Sequence, residues 1–320
     1  FGPDNGSYTV AIANSELAHA VITSTGTINI GSGKTSQRII KTYVYRALGQ
    51  SGVGDNCGYA DGNIDISFSL VNFYGGSAHS NNNFTINGLS TVNVETDLNA
   101  VNQYNSSRLA TVNVGGEIRS ANYPPAAAPV QMPAVDFDSA DPGSLKNRAT
   151  VIYSKAQFNG LIAGNKNLVL AGPITYVDGD IELKCDRKLT INGLLVSSRD
   201  INIGKFSGSC FWQCGQNDVT VNHAAGVAAG LMAKRKINFD SCSGDINSTG
   251  LIYANDQLSI SSLPFGFTFN AVGGLIGRKF TVTSIWQPIN INYNNAILTE
   301  ALGASEFSPV ITVEHWEEEY

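Results

Sequence analysis

The chain has 320 residues, a formal net charge of -6 and a pI near 5.2. Charged residues make up only 14%, while Gly supplies 33 positions and Asn 32, a balance that excludes a helical bundle or a coiled coil. The basic footprint that nucleic-acid binding requires is missing, and no apolar run reaches the roughly 18 residues that span a bilayer.

Residues 1–59 read as a small antiparallel β subdomain. Tyr8-Thr-Val-Ala-Ile12, Ala20-Val-Ile-Thr23 and Ile39-Ile-Lys-Thr-Tyr-Val-Tyr45 alternate with period two, the pattern of half-buried strands. Gly31-Ser-Gly33-Lys34 between them is read as a hairpin turn, not a phosphate-binding loop. Residues 60–117 repeat short strands, Ile64-Asp-Ile-Ser-Phe68, Phe84-Thr-Ile86, Thr91-Val-Asn-Val94 and Thr111-Val-Asn-Val114, separated by Gly and Asn. Residues 118–165 break the pattern. A strap, Pro124-Pro125-Ala-Ala-Ala-Pro129, leads to a segment from Asp136 to Tyr153 whose Asp and Ser suggest an N-cap, so one helix is expected near 135–155.

The strongest signal lies in residues 166–300. Gly193-Leu-Leu-Val196, Gly230-Leu-Met-Ala233, Gly250-Leu-Ile-Tyr253 and Gly274-Leu-Ile-Gly277 read as equivalent positions. Each is preceded by one strand, Leu189-Thr-Ile191, Val219-Thr-Val221, Asp245-Ile-Asn247 and Phe267-Thr-Phe269, and followed by another, at Ile201, Ile237, Leu258 and Phe280. Three strands per coil of about 20 residues is the arithmetic of a parallel β-helix. In such a solenoid no single coil can bury its apolar face, and stacked coils share one core. The expected fold is therefore all-β: a right-handed parallel β-helix with a small N-terminal antiparallel β subdomain and one helical insertion. An antiparallel sandwich is the alternative with the same strand spacing. Residues 301–320 end in one more strand whose acidic tail discourages edge-to-edge association.

Five cysteines show no metal-binding spacing, and no metal or cofactor is expected. Stacking would bring Cys185, Cys214 and Cys242 towards one column, with Cys210 on the inserted loop from Gly204 to Asp218. Two bridges among these four are expected, the alternative being reduced, buried thiols. Four Asn-x-Ser/Thr sequons and the low charge agree with export. Asp178, Asp180 and Glu182 alternate and should project from one strand face, with Arg199, Lys234, Arg235, Lys236, Arg278 and Lys279 at comparable positions of later coils. A solvated, weakly ion-paired surface is the reading favoured over a calcium-dependent lyase groove. Phe211, Trp212 and Trp286 are possible ligand contacts that could stack on sugar rings, with core packing as the alternative. The four histidines lack a nucleophile beside them, so a non-catalytic role is expected.

Gly6-Ser-Tyr-Thr-Val10, Val21-Ile-Thr-Ser-Thr-Gly-Thr-Ile28 and Ser36-Gln-Arg-Ile-Ile40 resemble the strand set that follows the membrane-spanning helix in pilin-like proteins with a PilX-type N-terminus. Tyr176-Val-Asp-Gly-Asp180 and the Gly-Leu repeats are similar to the β-helical region of that family. The resemblance implies a type IV pilus-associated, cell-surface structural or adhesion protein, minor pilin-like, anchored through a segment before Phe1 and not by any membrane contact of its own. Its implied partners are other pilus or surface subunits and surface polysaccharide. A carbohydrate-active β-helix enzyme or polysaccharide-binding module is the alternative.

Overall fold

The computed structural model describes residues 6–16, 19–48, 53–205, 215–261, 268–302 and 307–319. The chain forms two compact units, Phe1–Gln50 with Ala304–Tyr320, and Ser51–Gly303.

In the first unit the period-two segments become three antiparallel strands, Gly6–Glu16, His19–Gly31 and Lys34–Leu48. The hairpin reading of residues 31–34 holds: Gly31, Ser32 and Gly33 all have positive φ. The Asn29 side chain accepts the Gly31 N–H at 3.0 Å. The C-terminal strand Phe307–Glu319 joins this sheet, running antiparallel to Lys34–Leu48 with Val313 opposite Val44. The sheet order is therefore first strand, second, third, C-terminal strand.

The second unit is the expected β-solenoid, of about 11 turns, and the pairings between its coils are parallel. Period-two alternation sends every second side chain inward, and stacking aligns those side chains in files. One file runs Leu168, Leu189, Val219, Ile246, Phe269. Another runs Ile181, Ile201, Ile237, Leu258, Phe280 and continues without a break into Ile64, Phe84 and Tyr104. Apart from Leu168, which is partly buried at the edge of the cluster, these side chains are at most 5% exposed and belong to one hydrophobic cluster.

That continuity shows an order of stacking different from the order of the chain. The last coil of the second half, in strand Phe269–Tyr293, lies on the first coil of the first half, with Leu275 opposite Gly58, Phe280 opposite Ile64 and Ile289 opposite Val71. The chain thus starts in the middle of the solenoid, winds out to one end near residues 118–123, crosses to the other end, re-enters at Val151–Ser154 and winds back. An asparagine ladder passes through the junction. Asn270 donates to Asn247 at 3.1 Å, Asn290 to Asn270 at 2.9 Å, Asn72 to Asn290 at 2.8 Å, Asn93 to Asn72 at 2.7 Å and Asn113 to Asn93 at 2.8 Å. Each amide donates to one neighbour and accepts from the next, which satisfies half-buried polar groups and fixes the register.

The crossing segment is the strap. It travels over the outward residues of one solenoid face, where Tyr59, Ile276, Tyr253, Met232, Val196 and Tyr176 stand in consecutive register. Tyr59 Oη donates to the Val130 carbonyl at 2.7 Å and Tyr253 Oη to the Pro133 carbonyl at 2.9 Å. Farther on, Lys234 pairs with Asp138 at 2.7 Å, and Thr150 N–H donates to Ile174 O at 2.9 Å. Phe137 and Leu145 fill a second apolar cluster with those outward side chains. Burial raises the Tyr176 hydroxyl to a pKa of about 12 and drives Tyr59 and Tyr253 in the same direction.

Two local expectations are corrected. The helix expected over 135–155 is replaced by turns, because short polar side chains there bind the backbone themselves. Asp136 accepts the Ser139 N–H at 3.0 Å, Asp141 accepts the Gly143 N–H at 2.6 Å, and Val151–Ser154 is a strand. The helix forms one step later, Lys155–Gly164, where Ser154 and Gln157 make a reciprocal capping box. Its Phe158 and Ile162, four residues apart, enter the solenoid core. The second correction is a one-residue slip in the Gly-Leu alignment. Leu194, Gly230, Leu251 and Gly274 are in register, not the four leading glycines. Gly230 has φ of +150°, and a Cβ there would lie 2.0 Å from Leu251 O, so the glycine is required by close stacking. The short helix Asn295–Leu302, not anticipated from sequence, places Leu298 over Gly274.

If the strap holds the outer apolar face, Phe137→Ala, at a position 4% exposed, should lower the unfolding free energy by about 3 kcal/mol. Urea titration monitored by circular dichroism measures this, and a loss well under 1 kcal/mol would show that the strap contributes little.

Candidate functional site

The carboxylates singled out in the sequence lie at a corner and not along one strand, which corrects the expected shared face. Asp178 ends strand Ile174–Asp178, Gly179 turns the chain with φ of +132°, and Glu182 lies in strand Ile181–Leu183. The solenoid and its cap bring cations to this corner from four separate segments. Lys155, the first residue of the helix, lies 2.8 Å from Asp180 and 3.7 Å from Glu182. Arg199 of the next coil is 3.3 Å from Asp180, Lys184 is 2.5 Å from Glu182, and Lys146 of the strap is 3.4 Å from Asp178. Burial opposes ionisation of Asp180, but the hydrogen bond and charge of Lys155 and the charge of Arg199 outweigh it and hold its pKa below the usual range. The hydrogen bond from Lys184 does the same for Glu182, against its own desolvation.

The other basic residues noted in the sequence follow suit. Lys234 pairs with Asp138, Arg235 with Asp200 at 3.4 Å, Lys236 with Asp256 at 3.9 Å, Arg278 with Asp61 at 3.3 Å and Lys279 with Asp65 at 3.8 Å. Each of the six therefore meets a carboxylate supplied by another coil or by the strap, a partnership that linear spacing does not reveal. Among the described residues no group of three or more His, Cys, Asp or Glu side chains could hold a metal ion.

The remaining candidates fall in three places. Cys185 and Cys242 lie among the described residues, Cys242 fully buried, while Cys210, Phe211, Trp212 and Cys214 lie outside them. Trp286 falls where the register of strand Phe269–Tyr293 shifts, between Ile285 and Pro288. Cys57 is a buried free thiol whose pKa burial pushes up to about 12, the property of an inert core residue. Two of the histidines are structurally engaged: His79 hydrogen-bonds Asn81 and stacks on Tyr59, and His223 pairs with Glu300 at 2.5 Å. Sequence reasoning did not find the concavity where the strap crosses Asp61, Asn81 and Arg278, about 460 Å³ and also lined by Val130 and Met132; no linear signal joins residues so far apart. Among the described residues, no helix is long and apolar enough to cross a membrane.

No protein-family model matches the sequence, and no curated protein matches it. Among solved structures the chain is similar to the competence-associated pilin ComZ from Thermus thermophilus, at 11% identity over 98% of this chain and 84% of that one, with a TM-score of 0.29.

The depressed pKa values of Asp180 and Glu182 give a stability term that is present above the ordinary carboxylate range and is lost as pH falls through the lower folded values. Lys155→Met should therefore lower the urea midpoint at neutral pH, and the difference from the parent should vanish once both carboxyls are protonated. A difference that persists unchanged in acid would assign the effect to lost packing by the lysine stem.

Proposed function

We propose that this chain is a non-catalytic structural component of a surface or pilus-type assembly, in which the solenoid is a scaffold that presents its loops to neighbouring subunits or to surface polysaccharide. One observation carries the non-catalytic reading. The carboxylates at the Asp178–Glu182 corner are already neutralised by Lys146, Lys155, Lys184 and Arg199. A lyase of this architecture needs free carboxylates to hold its cation and a free base to take a proton. The pilus reading rests on the resemblance of the three N-terminal segments to PilX-type strands.

The tests follow these two parts. Incubation with uronate polymers and calcium should yield no ultraviolet-absorbing unsaturated product; such a product would overturn the non-catalytic reading. In the organism that makes the protein, mechanical shearing of cells should release the chain with the surface filaments, detected by mass spectrometry. Recovery only from the cytosol would sink the pilus assignment.

Export also fits two disulfides among Cys185, Cys210, Cys214 and Cys242, tying the inserted loop to its coils. With those four bridged and Cys57 a buried free thiol, denatured protein should take up one alkyl group before reduction and five after it, a difference of four by intact mass. Five alkyl groups without reduction would eliminate both bridges.

A further inference from the structure

The asparagine ladder ends on the last coil of the first half, and its end borders a depression of about 630 Å³. Two outward files run side by side there. One is the ladder's own Asn72, Asn93 and Asn113, in register across strands Ile64–Tyr74, Thr91–Val94 and Thr111–Val114. The other is Tyr74, Glu95 and Gly115, one step beyond the aligned Phe73, Val94 and Val114. A Cβ at Gly115 would lie 2.1 Å from the Glu95 carbonyl oxygen, so close coil stacking leaves that place without a side chain. The depression is what remains: Tyr74, Asn93, Glu95 and Asn113 line it, together with the strands that carry Phe73, Val94 and Val112.

The groups around it are less committed than those of the ladder's interior. Each inner amide both donates and accepts, but Asn113 donates to Asn93 at 2.8 Å and its Oδ1 accepts nothing among the described residues. Glu95 spends one carboxylate oxygen on the Gly75 N–H at 2.6 Å; among those residues the other oxygen has no partner and no cation pairs with it. Tyr74 is 42% exposed, and its hydroxyl is likewise unpartnered among them. An aromatic ring beside an amide oxygen, a carboxylate oxygen and a phenol suits a ligand that brings both apolar C–H edges and several O–H donors. A sugar ring has both. An uncompensated carboxylate repels a second one, which disfavours an acidic polymer. We propose that this depression binds a neutral polysaccharide, one sugar ring lying against Tyr74 with its hydroxyls donating to Glu95 and to Asn113 Oδ1. The inference deepens the surface-polysaccharide part of the proposed function and rests on it.

The test is affinity electrophoresis of the full chain through native gels containing dextran, galactomannan or hydroxyethyl cellulose, with polygalacturonate as the acidic polymer. At least one neutral polymer should retard the chain, and polygalacturonate should not. Tyr74→Ala should weaken the apparent affinity about tenfold, and Asn113→Ala and Glu95→Gln should each weaken it. Tyr8→Ala, which removes an aromatic ring 79% exposed in the other unit, should leave it unchanged. All four variants should keep the parent's far-ultraviolet spectrum. Passage of the parent through all the neutral gels without retardation, retention by polygalacturonate as strong as by a neutral polymer, or a folded Tyr74→Ala that binds as the parent does would overturn the proposal. Such results leave the shearing experiment standing, because release with filaments reads subunit association and not the sugar site.

Discussion

Parallel, in-register stacking of coil upon coil is the constraint from which the rest of the solenoid follows. A short strand such as Ile201–Ile203 or Lys236–Phe239 has no stability alone. It gains its hydrogen bonds and its buried face only from the coils above and below. Because each inward side chain rests on its counterpart, the core consists of files, and a file tolerates exchange among Ile, Leu, Val and Phe but not a polar residue. Outside the core the same repetition can stack amides, and the ladder from Asn247 to Asn113 shows the consequence: a polar file that would be costly to bury unpaired becomes a continuous chain of side-chain hydrogen bonds.

The stacking order explains the strap. A solenoid that begins in its middle leaves its two halves meeting at the coil of Ile64 and the coil of Phe280, and the chain must travel from one end to the other. The segment that does so covers an outer face which is apolar for that reason. Tyr59, Tyr253 and Tyr176 are buried in the apolar cluster beneath the strap, and the first two donate their hydroxyls to its Val130 and Pro133 carbonyls. Both halves are thereby held to a single arrangement. The helix Lys155–Gly164 closes the end where the strap arrives, with Phe158 and Ile162 standing in for the coil that is not there.

Charge is distributed by the same logic. With only 14% of residues charged, the molecule places many of its acids and bases at coil corners, where one coil supplies the carboxylate and the next, or the strap, supplies the cation. Individually such exposed pairs contribute little. Together they give most corner charges a partner on a neighbouring coil or on the strap.

Much of the fold was legible in the sequence because strand alternation and coil length are local, repeating properties. The file through Ile201, Ile237, Leu258 and Phe280 could be read directly, as could the hairpin at Gly31 and the antiparallel strands around it; the strand Phe267-Thr-Phe269 was visible, but that Phe269 and not Phe267 lies over Ile246 was not. The helix was displaced because Asp136, Ser139 and Asp141 offer side chains equally suited to a cap and to a turn, and only the packing of Phe158 and Ile162 into an open end decides between them. The slip at Gly230 escaped notice because a repeating Gly-Leu pair looks the same in either register until the backbone of Leu251 is placed against it. The site was less legible than the fold: the acidic corner was visible, but its cations come from Lys155, Arg199 and Lys146, which no spacing rule connects. Sequence by itself determined short period-two strands punctuated by Gly and Asn and recurring about every 20 residues, a spacing that a solenoid and an antiparallel sandwich share. Which coil lies upon which, and therefore which charges meet, was decided only in three dimensions, because every coil offers nearly the same edge to every other and burial of the ends and of the strap selects one order among them.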